Sequence, residues 1–333
     1  MFETVEVGCA AGSLSKQYCA QVSAMHHEDP IGSAPGHLVY LLAEVPLPWQ
    51  HEVERSVHFP AGLNEVLQQA AGRGRKFRFL AFASDRIASP AGCRRIIRFS
   101  REGPSLALFG RKEYVAPERQ VAAVAEALLA GGELSAFEDC AAEPAEGTRD
   151  LFVCTHGSHD VCCGKFGYPL YKEIEERYAG REDLPLRVWR TSHFGGHRHA
   201  PTLIDFPEGR YWAQLRPELL DTLIRRNGDV ERLARHYRGA GGIGAFEQVA
   251  ERAAFVREGW SWIGYEKRVA VDKTDDRSAR VMIEYRSSDG AEQGMYEAQV
   301  RISQTTVITG GCGHEAGEAK QYELAELCGR KAQ

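Results

Sequence analysis

The chain of 333 residues has no apolar run approaching the ~20 residues of a membrane span; Leu38–Val45 is typical of its longest stretches, and charges punctuate the rest. It also lacks a basic excess. Lysine and arginine number 41 against 46 acidic residues, a formal charge of −5, which argues against a general binder of nucleic acid or anionic membrane. The opening MFETVEV is acidic, with no cationic stretch leading into an apolar one, so no secretory signal is expected. No repeat or low-complexity tract is visible. By elimination, the expectation is a cytoplasmic globular protein with room for about two domains at roughly 150 residues each.

Nine cysteines are too many to ignore and odd in number. In a reducing compartment they do not read as a disulfide framework. Cys19, Cys93, Cys140 and Cys328 sit alone and are expected to be small buried hydrophobes, and Cys9 says nothing by spacing. Cys154, Cys162 and Cys163, by contrast, crowd into ten residues, and five of the 12 histidines fall between His156 and His199. Sulfur and imidazole concentrated in one stretch point to a metal.

The pattern predicts α/β organisation. His37–Val45, Phe77–Ser84, Ile96–Ser100 and Ser105–Gly110 read as strands, and Leu63–Ala71 and Glu118–Gly132 as helices. Residues 1–148 form an N-terminal α/β unit, for which a thioredoxin-like fold is one option, and Cys140–Asp150 is apolar-poor and reads as a linker. A second unit, 149–228, runs strand (LFVC), glycine-containing loop, helix (YPLYKEIEERYA), strand (LRVWR), histidine loop, hairpin (TLIDF, RYWAQL) and helix from Pro217. That order in about 80 residues is thioredoxin-like. Residues 229–333 are expected to be a helical piece, Val230–Glu258, followed by antiparallel strands with SSDG as a turn.

In the middle unit eight residues separate Cys154 from Cys163, and thirty positions later come His193 and His197 around Gly195 and Gly196. Each pair leaves a strand into a glycine-containing loop, so both loops can converge at one sheet edge. Two thiolates and two imidazoles suit tetrahedral zinc or a [2Fe–2S] cluster with Cys₂ on one iron and His₂ on the other. The cysteine spacing is twice that of a zinc knuckle, which favours iron. Gly164, Gly195 and Gly196 would let backbone approach the metal.

These residues resemble the sucrase/ferredoxin-like family, a branch of the thioredoxin-like [2Fe–2S] ferredoxins. The matching motifs are C-x-H-G-x-x-D-x-x-C-G-x-x-G and S-H-x-G-G-H-x-x-A-P, with LLAEVPLPW upstream, and the likeness covers roughly residues 8–220. It implies a [2Fe–2S] cluster on Cys154, Cys163, His193 and His197, and an electron carrier or redox sensor served by a redox partner protein, more than a catalyst. Cys163 is preferred to Cys162 because it directly precedes Gly164. A zinc-stabilised binding protein on the same ligands is the alternative. No paired carboxylates in a defined site support sugar cleavage. Neutral imidazoles would raise the potential and couple it to pH, by up to about 59 mV per unit.

Other features are set aside. Gly239–Gly244 matches G-x-G-x-x-G, but the preceding ERLARHYR reads as a helix, so a helix–helix linker is expected. His156, His159 and His199 are expected to face water. Cys312, in GGCGHE, is expected to be a tail cysteine, with a second redox thiol or metal ligand as the other option. GRGRK with Arg94, Arg95 and Arg98 is expected to be a solvated basic face.

Overall fold

The computed structural model describes residues 18–103 and 106–331; Cys9 and the start of the strand expected over Ser105–Gly110 lie outside them. After a short helix α1 (Cys19–Met25), the chain builds β1 (Val39–Glu44), α2 (Leu63–Gly72), β2 (Arg78–Ala83), β3 (Cys93–Ser100), β4 (Gly110–Pro117) and α3 (Val121–Ala130). β5 (Arg149–Cys154), α4 (Tyr168–Tyr178), β6 (Leu186–Thr191), β7 (Thr202–Phe206), β8 (Arg210–Ala213) and α5 (Pro217–Arg225) then repeat the same order.

The repetition extends to strand pairing. In the first unit β1 is parallel to β2 and antiparallel to β3, which is antiparallel to β4; in the second, β5 is parallel to β6 and antiparallel to β7, which is antiparallel to β8. Both are right for a β–α–β crossover followed by a hairpin. β2 and β6 pair antiparallel through Phe82–Thr191 and Ala83–Arg190, so the units share one sheet of order β4-β3-β1-β2-β6-β5-β7-β8-β9.

Strand alternation sorts the core into layers. Tyr40, Leu42, Phe82, Phe99, Phe152, Trp189, Ile204 and Phe206 point to a common inner core, which also holds Cys154 and Cys163. Leu41 and Ala43 face the other way, onto α2 and α3. Leu151 and Val153 likewise face α4 and α5. The inner layer also carries an ion network. Arg187 donates to Glu113 at 2.8 Å and to Asp150 at 2.7 Å, and Trp189 Nε1 donates to Asp150 at 2.8 Å. Arg95 pairs with the same Glu113 and Arg94 with Glu118, so these arginines are partnered rather than part of a solvated face.

Three expectations are corrected. The fourth strand is Gly110–Pro117, not Ser105–Gly110: its register pairs Tyr114 with Ile96 and Gly110 with Ser100, which a strand ending at Gly110 could not do. The span Val230–Glu258 is not continuously helical, because β9 (Tyr237–Ala240) adds a ninth strand to β8 before α6 (Ala245–Glu258). Gly239–Gly244 therefore joins a strand to a helix. Two of its amides are engaged within the fold, Gly241 donating to the Gly209 carbonyl at 2.8 Å and Gly242 to that of Pro35 at 3.1 Å. Beyond α6 lies the antiparallel sheet β10 (Glu266–Lys273), β11 (Ser278–Arg286), β12 (Gln293–Thr309) and β13 (Ala316–Lys331). Among the described residues no helix is long and apolar enough to cross a membrane.

Candidate metal centre

β5 ends at Cys154, and the chain must double back within eight residues to present Cys163 beside it. Helical backbone starts at Val161, two turns earlier than the sequence pattern shows, passes through a wide π-type turn at Cys163–Gly167 and continues as α4. Glycine makes the return possible: a Cβ at Gly167 would lie 1.9 Å from the Cys154 carbonyl oxygen, and one at Gly164 would lie 2.9 Å from Gly157 Cα.

The second loop leaves β6. Ser192 is stitched to β2, its amide donating to the Ala81 carbonyl at 2.8 Å and its hydroxyl oxygen accepting from the Ala81 amide at 2.9 Å. The His193 amide donates to His156 Nδ1 at 3.2 Å, which leaves His156 Nε2 as the proton carrier, donating to the Gln50 carbonyl at 2.7 Å. Arg78 donates to the His193 carbonyl at 2.6 Å and Arg238 to that of Gly195 at 2.9 Å. Gly195 and Gly196 turn the chain at φ +96° and +84°, and the space beside Gly196 is filled by the Arg238 guanidinium.

The two loops converge. Cys154 Sγ, Cys163 Sγ and His193 Nδ1 lie within 4.8 Å of one another, with Nδ1 3.6 Å from Cys163 and 4.0 Å from Cys154. Both thiols are buried, and the imidazole is half-buried. Burial opposes the Cys154 thiolate, but the Cys163 thiol and the His193 ring outweigh it and hold Cys154 well below the ordinary thiol range. Cys163, which gives up that hydrogen bond on ionising and is itself buried, is pushed far up. Such a pair yields one proton readily and the second to a cation. Two buried sulfurs and one imbedded ring nitrogen, with no competing carboxylate in the group, fit a soft or borderline metal or an iron–sulfur cluster.

A family model described as sucrase/ferredoxin-like matches residues 30–239, well over half of the chain. The chain belongs to that family. Among curated relatives, altered inheritance of mitochondria protein 32 of Meyerozyma guilliermondii is 29% identical over 85 residues, covering 23% of this chain and 30% of that protein, so the match spans less than a third of the relative's length. Among solved structures, a thioredoxin-like [2Fe–2S] ferredoxin from Aquifex aeolicus is 19% identical with a TM-score of 0.23, covering 26% of this chain and 88% of that one. A cysteine-to-serine variant of that ferredoxin is 18% identical with a TM-score of 0.22, covering 26% and 95%.

Within the sucrase/ferredoxin-like motif, His197 is placed differently from the other three. Its ring centre is 5.3 Å from that of His193, but it does not join the Cys154, Cys163 and His193 group, and its Nδ1 lies 3.4 Å from Asp160 Oδ2 and 3.4 Å from Cys19 Sγ. His156 and His199 do not face water: both are buried, His199 lying 3.5 Å from Ser23 and 3.6 Å from Glu28. The reason is that their loops run under α1 and the β1–α2 connection. His159 stacks on His193 with centroids 4.1 Å apart, and burial, then the neighbouring His193, lowers it to about 4.

Sequence reasoning missed three contributors, Cys19, Asp160 and Arg238, and gave a fourth, Cys312, a metal-ligand or redox role only as its second option. Cys19 is not an isolated hydrophobe and Cys312 is not a tail cysteine: both meet Cys162, at 3.5 and 3.2 Å. Asp160 stands in the quoted motif without a role, and accepts from the Cys162 and Cys312 amides at 2.8 and 3.0 Å. Arg238, hidden in a stretch read as helix, is fully buried, and that burial lowers it to about 10.

Proposed function

We propose that the chain carries a [2Fe–2S] cluster, with Cys154 and Cys163 on one iron and His193 and His197 on the other, and that it transfers electrons or senses redox state in partnership with another protein. The observation that supports this most directly is the buried convergence of two thiols and one imidazole from two separate loops. Membership of the sucrase/ferredoxin-like family points the same way.

His197 would serve as the fourth ligand through Nε2, its Nδ1 being turned to Asp160. Metal-bound histidines hand their other ring N–H to a carboxylate, and Asp160 stands 3.4 Å from Nδ1 in that role. The two cysteines are buried, whereas His193 and His197 are half-buried. A cluster held by these four residues would be reached by a redox partner from the histidine side. Neutral imidazoles in place of thiolates would lower the negative charge of a bound cluster and raise its potential, and their free ring nitrogens would let its charge depend on pH.

The test is a visible and EPR spectrum of anaerobically purified protein with iron counted. The expected result is red-brown protein with two irons per chain that bleaches on dithionite. Colourless protein without iron, its four ligands occupied by zinc, would overturn the reading.

A further inference from the structure

Cys19, Cys162, Cys312 and Asp160 form a second donor group that the cluster ligands do not include. One ligand atom from each lies within 4.8 Å of all the others. The sulfur–sulfur separations are 3.2 Å for Cys162–Cys312, 3.5 Å for Cys19–Cys162 and 3.7 Å for Cys19–Cys312. Asp160 Oδ1 is 3.4 Å from Cys312 Sγ and 3.8 Å from Cys19 Sγ. A tetrahedral zinc with Zn–S of about 2.3 Å and Zn–O of about 2.1 Å has S–S edges of about 3.8 Å and S–O edges of about 3.6 Å. The four donors already outline that polyhedron, slightly compressed.

We propose that Cys19, Cys162, Cys312 and Asp160 bind a single zinc ion, separate from the iron–sulfur site. A disulfide would join only two of the sulfurs, at about 2.05 Å, and leave the third thiol outside it. A metal ion uses all four. The surroundings suit it: the Cys162 and Cys312 amides orient the carboxylate, and the Ala20 and Cys19 amides donate to the sulfurs of Cys162 and Cys312. Cys19 and Cys162 are fully buried, and Cys312 is half-exposed, so the ion enters past Cys312.

The site ties together segments remote in sequence. Cys19 opens α1, Cys162 and Asp160 precede α4, and Cys312 sits in the turn between β12 and β13. A Cβ at Gly311 of that turn would lie 3.4 Å from His197 Cε1, so the turn runs close beside the histidine loop. Zinc would thus clamp the C-terminal hairpin over the histidine loop and give the extension beyond residue 229 a structural purpose. Binding displaces thiol protons and needs no electron transfer.

The test uses full-length protein purified anaerobically with reductant, zinc and iron being counted separately. One zinc per chain is expected, with an X-ray absorption spectrum showing three sulfurs at about 2.3 Å. Cys19→Ser and Cys312→Ser should each cut bound zinc several-fold while iron and the visible spectrum persist. Added Co2+ should give thiolate charge-transfer bands that both variants weaken. The proposal is overturned by wild-type protein that takes up no Zn2+, by a Cys162–Cys312 disulfide in the reduced preparation, or by zinc retained in both variants. It is also overturned if zinc is lost on Cys154→Ser but not Cys312→Ser, which would assign the ion to the other group. Should the variants precipitate, fewer than three sulfurs at the wild-type zinc overturns it. Iron content reports on the cluster independently throughout.

Discussion

Cys162 and Cys163 are neighbours in the chain and serve different groups: Cys163 Sγ stands 3.6 Å from His193 Nδ1, whereas Cys162 Sγ stands 3.2 Å from Cys312 Sγ. Successive residues on helical backbone project about 100° apart, so one peptide step divides the two thiols between two sets of partners. Cys163→Ser is therefore expected to abolish the visible spectrum and iron binding, while Cys162→Ser keeps both. Iron per chain and absorbance measured on the two variants decide the matter; the reverse pattern would assign Cys162 to the cluster.

Histidine ligation predicts the sign of a potential shift. His193→Cys replaces a neutral ligand by an anionic one, so the cluster should survive with a potential lower by roughly a hundred millivolts or more and with a flatter dependence on pH. His197→Cys should act in the same direction. Potentiometric titration of both variants between pH 6 and 9 checks this, and unchanged midpoints in both would point to other ligands.

Gly167 sets the distance between β5 and α4. In Gly167→Ala the new Cβ would collide with the Cys154 carbonyl oxygen, at 1.9 Å, so the helix start must move and carry Cys163 with it. A loss of about 1–3 kcal/mol or more is expected, with iron retained poorly. Gly157→Ala, whose Cβ would meet Gly164 Cα at 3.3 Å, should cost less. Melting temperature and iron content of the pair give the comparison.

Lys267 is buried, and this holds its ammonium group down to about 7, although it donates to the Trp262 and Tyr265 carbonyls at 2.5 Å. An unfolded lysine keeps its proton to about 10.4. Between those values the unfolded chain binds more protons, so this group makes stability rise with pH, by up to about 1.4 kcal/mol per unit, from about pH 7 upward. Urea midpoints at pH 7 and pH 9 should show that increment in the wild type and its loss in Lys267→Met.

Several levels of this protein were legible in order. Strands such as Val39–Glu44 and Arg149–Cys154 declare themselves because an interior strand carries an unbroken apolar run, here YLLA and LFVC. The strand at Gly110–Pro117 did not, since GRKEYVAP mixes charges whose partners, such as Arg187 for Glu113, come from another unit. The repeated strand order of the two units was likewise invisible: pairing and packing conserve a topology through burial pattern, which many sequences satisfy.

The sequence by itself determined that sulfur and imidazole gather around two glycine-containing loops, because ligands contributed by adjacent strand ends must sit at short, fixed separations along the chain. It also carried the family, since the loop geometry demands small residues at set positions between those ligands. Only the tertiary structure decided which thiol faces which partner, and that Cys19 and Cys312, 293 residues apart, stand 3.7 Å from each other. Proximity across so long a separation arises from the packing of α1 and the β12–β13 turn onto one surface, a result of the summed burial of apolar faces that no local spacing encodes.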